Sequence, residues 1–201
     1  MDNEKGKVSK GLVVGLIITS LMVISLVGAV SYFYYNAPKK VQEKVLEGGN
    51  INLSYSDDSN SLNITTVQVI DDISGMKINK ADSYFDFTVS VSLDEATGID
   101  YEISVKPNKD NTVPTKNIKV YLEKLKSGTF TSTGNPVQLK LSNKKSKLGA
   151  ESGSMVIYSN STKKSVSENY RLRAWVDNTS LYVPNMTDKI VLDVEVHGKA
   201  S

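Results

Sequence analysis

The sequence predicts an all-β protein: an antiparallel β-sandwich of the jelly-roll or immunoglobulin-like kind, preceded by a single N-terminal transmembrane helix. Three observations carry this. Residues 11–35 hold no charged side chain, and a bilayer core needs roughly twenty such residues in a helix that satisfies its own amides. From Ile51 onward the apolar residues recur with period two. No long stretch of helical period interrupts them, and polar turns fall at the spacing of a sandwich. The chain divides into a tail (1–10), the apolar segment (11–35), a connector (36–49) and the sandwich (50–201).

The tail carries Lys5, Lys7 and Lys10, and Lys39, Lys40 and Lys44 follow the apolar run. The two sets nearly cancel, so charge alone does not orient the segment. A short tail followed by one apolar helix is the usual export arrangement, which places the N-terminus in the cytoplasm and the sandwich outside. Tyr32, Phe33, Tyr34 and Tyr35 then lie at the outer interface, where amphipathic rings sit well. A cleaved signal peptide is the alternative, with small residues at Val27-Gly28-Ala29 and secretion after cutting near Ala29.

In the connector, Pro38 opens a short helix, Val41, Val45 and Leu46 share a face, and Gly48-Gly49 end it. Ile51, Leu53 and Tyr55 start the first strand. Residues 57–60 make a turn, 62–69 a second extended segment, and Asp71, Asp72, Ser74 and Gly75 a polar loop. The clearest strand is Tyr84 to Leu93. Its Phe85, Phe87, Val89, Val91 and Leu93 share one face and its Tyr84, Asp86, Thr88, Ser90 and Ser92 the other. Ile99, Tyr101, Ile103 and Val105 repeat the pattern, with Asp100, Glu102, Ser104 and Lys106 outward, and the two segments are expected to form a hairpin. Further strands are predicted at Ile118–Leu122, Val137–Leu141 and Met155–Tyr158. Residues 160–167 make a polar break. The last two strands run through Tyr170, Leu172, Ala174 and Val176, and through Ile190, Leu192, Val194 and Val196. Trp175 falls on the side of Arg171 and Arg173, covered by a loop or stacked on the guanidinium groups.

Composition narrows function by exclusion. The formal charge is +2 and basic and aromatic residues do not interleave in a patch, so no nucleic-acid partner is expected. There is no cysteine, hence no disulfide, thiolate metal site or cysteine nucleophile. The one histidine, His197, lies near the C-terminus and is expected to be exposed. A zincin site needs two histidines one helical turn apart, and no Gly-x-Ser-x-Gly turn exposes a serine. No catalytic, cofactor-binding or metal-binding residue is therefore assigned, no cofactor is expected, and an enzyme is not. Asp57, Asp58, Asp71 and Asp72 raise the question of calcium, but without EF-hand spacing they read as turn residues. Asn-x-Ser/Thr sequences at Asn52, Asn63, Asn160, Asn178 and Asn185 matter only in a glycosylating host.

Three stretches, taken in order, resemble the TasA/camelysin-like exported domains of Firmicutes. They are Gly49-Asn-Ile-Asn-Leu-Ser-Tyr-Ser56 with Asp71-Asp-Ile-Ser-Gly75, then Tyr84-Phe-Asp-Phe-Thr-Val89 with Ile99-Asp-Tyr-Glu-Ile103, and last Tyr170-Arg-Leu-Arg-Ala-Trp-Val176 ahead of His197-Gly198. The resemblance implies a Gram-positive cell-surface or matrix protein with a structural role, assembling through unpaired strand edges. Camelysin-type proteins are classed with metallopeptidases, and the single histidine does not supply that site. The expectation is a membrane-anchored surface module whose partners are the bilayer, through the N-terminal helix, and itself or another protein, through sandwich edges. The alternatives are a secreted matrix or fibre subunit and a ligand-binding accessory module of an envelope assembly.

Overall fold

A computed structural model of the chain describes residues 40–46, 49–55, 60–80, 82–94 and 98–200. The expected transmembrane helix (11–35), the cleavage position near Ala29 and the aspartates at 57 and 58 lie outside the described residues. No helix among the described residues is long and apolar enough to cross a membrane.

Twelve strands are described: β1 (Lys40–Leu46), β2 (Gly49–Tyr55), β3 (Ser61–Ile64), β4 (Val69–Ile70), β5 (Tyr84–Leu93), β6 (Ile99–Pro107), β7 (Ile118–Lys126), β8 (Thr129–Ser132), β9 (Val137–Gln138), β10 (Met155–Thr162), β11 (Val166–Asp177) and β12 (Ile190–Ala200). A short helix, α1 (Asp72–Lys77), lies between β4 and β5. One sheet has the order β1-β2-β5-β11-β7-β8, with β4 and β9 added at the flanks of β11 and β7; the other has the order β10-β6-β12-β3. All pairings are antiparallel except β4 with β11.

The alternation read from the sequence is the alternation that folds. In β5 Phe85, Phe87, Val89 and Val91 are buried, and in β11 Tyr170, Leu172, Ala174 and Val176 are buried. They meet Ile99, Tyr101, Ile103, Val105, Leu192 and Val194 of the other sheet in one apolar interior. Each large aliphatic or aromatic side chain so buried contributes about 1.5–3 kcal/mol, which makes this interior the term that decides the fold. A ladder of rings, Tyr55–Phe85–Phe87–Tyr170–Tyr158–Tyr101, runs through it with centroids 5.6–6.4 Å apart.

Four sequence expectations are corrected. β5 and β6 do not form a hairpin: β5 pairs with β2 and β11, while β6 pairs with β10 and β12 in the other sheet. Alternation states which face of a strand is buried but not which strand lies beside it, and a chain can step between sheets as easily as turn within one. The connector forms no short helix through Val41 and Leu46; it is β1, laddered along its full length to β2. The loop at Asp71–Gly75 is the start of α1, with Asp71 as its N-cap accepting from the Ser74 amide at 2.9 Å. Of the strand expected over 137–141, only Val137–Gln138 pairs.

Candidate functional site

The sequence drew attention to His197, and the register of β12 against β6 gives it neighbours. His197 lies opposite Glu102, and Glu195 opposite Ser104. All four alternate outward from the interior of the second sheet. They are not left to water. Residues 142–153 fold over them, so Glu102 and Ser104 are buried, contrary to the outward, solvated positions that period two alone implied. Glu102 Oε1 accepts hydrogen bonds from the Ser146 hydroxyl and from the Ala150 amide, the latter at 3.0 Å. His197 is correspondingly not an exposed terminal residue: its side chain is 13 % accessible.

The geometry around His197 tests the catalytic readings. Its Nε2 lies 3.2 Å from Ser104 Oγ and 3.2 Å from Glu195 Oε2. A serine relay needs the serine on one ring nitrogen and the carboxylate on the other; here both share Nε2. Ser104 is also fully buried, so its hydroxyl meets no substrate. Hydrogen bonding to His197 holds the Glu195 carboxyl below its ordinary value, against the opposing effect of burial. The cavity beside this cluster, about 300 Å3, is lined by Glu43, Lys44, Glu151, Glu195, Val196 and His197. Among the described residues no group of three or more His, Cys, Asp or Glu side chains stands in position to hold a metal ion.

The outer face of the first sheet is also covered. Trp175 is buried beneath α1, with Gly75 against its ring, so the covering segment is the answer to its position and not stacking on guanidinium groups. Arg171 forks to Asp86 with two bonds of 2.7 Å and stacks over Tyr84 and Phe130, at 3.9 and 4.2 Å to the ring centres. Arg173 donates to Glu123 at 2.8 Å and to the Ile78 carbonyl. Lys119 bridges Asp72 at 2.8 Å and Asp177 at 3.4 Å. Of the acids considered for calcium, Asp71 therefore caps a helix and Asp72 holds a lysine.

A third polar cluster, not foreseen, ties the sheets together. Glu168 Oε2 accepts from the hydroxyls of Tyr101 and Tyr170, each at 2.7 Å, and Glu168 Oε1 meets Lys124 at 2.6 Å. Asn160 donates to the Tyr101 hydroxyl at 3.2 Å, which occupies the amide of one glycosylation sequence. Burial raises the Glu168 carboxyl, and the Lys124 and tyrosine hydrogen bonds more than reverse this, so the net shift is downward. Burial pushes both tyrosine hydroxyls far above their ordinary range. The cluster locks the sheets at the level of the ring ladder. Its parts are separated by 69 residues between Tyr101 and Tyr170, and period-two reading placed both simply as inward rings.

No family model and no curated protein matches the chain. Among solved structures, the CBM22-2 xylan-binding domain from Paenibacillus barcinonensis Xyn10C aligns over 81% of this chain and 88% of that domain, with 11% identity and a TM-score of 0.20. A score of that size carries no argument about fold or ligand.

Proposed function

We propose that this chain is a single-pass, membrane-anchored bacterial surface protein whose extracellular sandwich, jelly-roll or immunoglobulin-like in type and TasA/camelysin-like in kind, serves structure or interaction and performs no catalysis. Residues 11–35 are the anchor, the N-terminus is cytoplasmic and the sandwich faces outward. The observation that supports this most is how the sandwich uses its polar side chains. Among the described residues, Glu102, Ser104, Arg173 and Trp175, which alternation turned outward, are buried beneath the chain's own segments, and the serine and carboxylate that meet His197 share one ring nitrogen and form no relay.

Expression of the full chain with a C-terminal tag in a Gram-positive host tests the reading. A full-length species in the membrane fraction, its tag open to added protease, is the expected result. A shortened species in the medium, beginning after Ala29, overturns the anchor.

The second reading, a secreted matrix or fibre subunit, is favoured by β1. This strand is laddered to β2 on one side and, among the described residues, ends the sheet on the other, with Val45 78% exposed. An open edge of this kind is a template for another strand. Filaments or edge-paired oligomers of the processed protein would carry that reading; strict monomers at every concentration would end it.

A further inference from the structure

The loop between β11 and β12, residues 178–189, carries three large apolar side chains within six residues, and all three are bare. Leu181 is 101% exposed, Val183 85% and Met186 103%. Single exposed aliphatic residues are ordinary, but a group of them rimmed by polar residues marks a contact surface. The loop is also built to hold them there. At its start, the Thr179 amide donates to Asp177 Oδ1 at 3.1 Å and the Ser180 amide to the Asp177 carbonyl at 3.0 Å. At its end, buried Asp188 accepts from the Tyr182 hydroxyl at 2.7 Å and the Asn185 amide at 2.8 Å. Thr112, from the 108–117 loop, donates to Asp188 and accepts from the Lys189 amide at 2.8 Å. A buried carboxylate thus organises a loop whose product is an exposed apolar tip.

The surroundings point to one kind of occupant. Lys109, Lys116 and Lys189 are exposed in these two loops, and Asp110 is the one exposed acid among them. An apolar tip with a cationic rim suits the boundary between acyl chains and anionic headgroups.

We propose that the 178–189 loop seats in the surface of the bilayer that holds the N-terminal segment, with Leu181, Val183 and Met186 entering it and the three lysines meeting lipid phosphates. This rests on the reading of residues 11–35 as a retained anchor. The sandwich is then held to the membrane at two points, and its orientation is fixed where a single tether would leave it free.

The absence of cysteine makes Met186→Cys a unique site for an environment-sensitive fluorophore. Lys163→Cys is the control, because β10 ends at the far side of the sandwich, opposite Ile99 and the close of β12. Full-length variants are reconstituted into phosphatidylcholine–phosphatidylglycerol vesicles containing brominated acyl chains. The label at position 186 is expected to be blue-shifted and quenched several-fold more than the label at 163. Adding Leu181→Asp and Val183→Asp should abolish the difference while Trp175 emission stays unchanged. An unquenched label in chain that resists carbonate extraction overturns the loop contact and leaves the anchor standing. Chain that carbonate extracts overturns both. A blue shift without quenching means that protein, such as a second copy, covers the loop, and overturns the lipid contact.

Discussion

Each outward face of the sandwich is covered in part, but by different means. On the first sheet, α1 lies over Trp175 with Gly75 against the indole, while Arg171 forks to Asp86 and Arg173 donates to Glu123 beside it. On the second, residues 142–153 are held by hydrogen bonds that converge on one buried carboxylate, Glu102. The first cover is fixed by shape, because a close approach of backbone to ring tolerates no added atom. The second is fixed by acceptor chemistry, because the Ser146 hydroxyl and the Ala150 amide both converge on Glu102. A cover of the first kind fails when something is added, one of the second kind when something is removed.

Gly75→Ala breaks the comparison most strongly. In an ordinary helix this change stabilises by about 1 kcal/mol. Here an added Cβ falls inside the Trp175 ring, so α1 must lift, at a cost of about 3 kcal/mol. The midpoint of urea unfolding should fall, and the emission of Trp175, the one tryptophan in the chain, should shift red before global unfolding.

Glu102→Ala acts on the other cover and should cost about 2 kcal/mol, the loss of the hydrogen bonds that Ser146 and Ala150 make to a buried carboxyl group. Hydrogen exchange in residues 142–153 should accelerate while Trp175 emission stays fixed. Glu102→Gln keeps an acceptor oxygen and should recover much of the loss. If either substitution moves the reporter of the opposite face, the covers are coupled and the contrast fails.

Arg171→Lys is a milder test of the first face. It keeps the charge, loses the fork to Asp86 and the planar stack on Tyr84 and Phe130, and should cost about 1 kcal/mol by denaturant unfolding, since the pair is partly solvated.

What the sequence revealed follows from the same contrast. Strand interiors were legible because alternation is local: the inward set Phe85, Phe87, Val89 and Val91 is buried as read. The partners of β5 and β6 were not, since pairing depends on strands far along the chain. Nor were the covers. Glu102 and Ser104 read as solvated because nothing adjacent announces residues 142–153, and Gly75 read as a turn residue because its requirement is an indole 100 residues later. The Leu181–Met186 loop did leave a signal. Its apolar residues sit among Pro, Asn and Thr with neither period, a pattern that belongs to no buried element.

The smallest predicted effect is the response to acid, and it divides between the faces. On the second sheet Glu195 is held below its ordinary value chiefly by its hydrogen bond to His197. On the first sheet Asp177 is held low despite burial, by hydrogen bonds from Thr179 and by Lys119. A carboxyl whose folded value is depressed binds its proton more readily in the unfolded chain. Its stabilisation is therefore complete above the unfolded value, about 4 to 4.5, and is lost as pH falls through the folded one. Glu195 is half-buried, and Asp177 is buried but paired with a partly solvated lysine, so screening limits each contribution to roughly 0.5 kcal/mol. Stability measured in urea should decline from pH 5 toward pH 3, a window of about two units set by these values. Glu195→Gln should flatten the second-face share, seen as slower acid-induced exchange along β12, and Asp177→Asn the share seen by Trp175. Equal effects of both variants on both reporters would show that acid acts on the sandwich as a whole and not on its two covers separately.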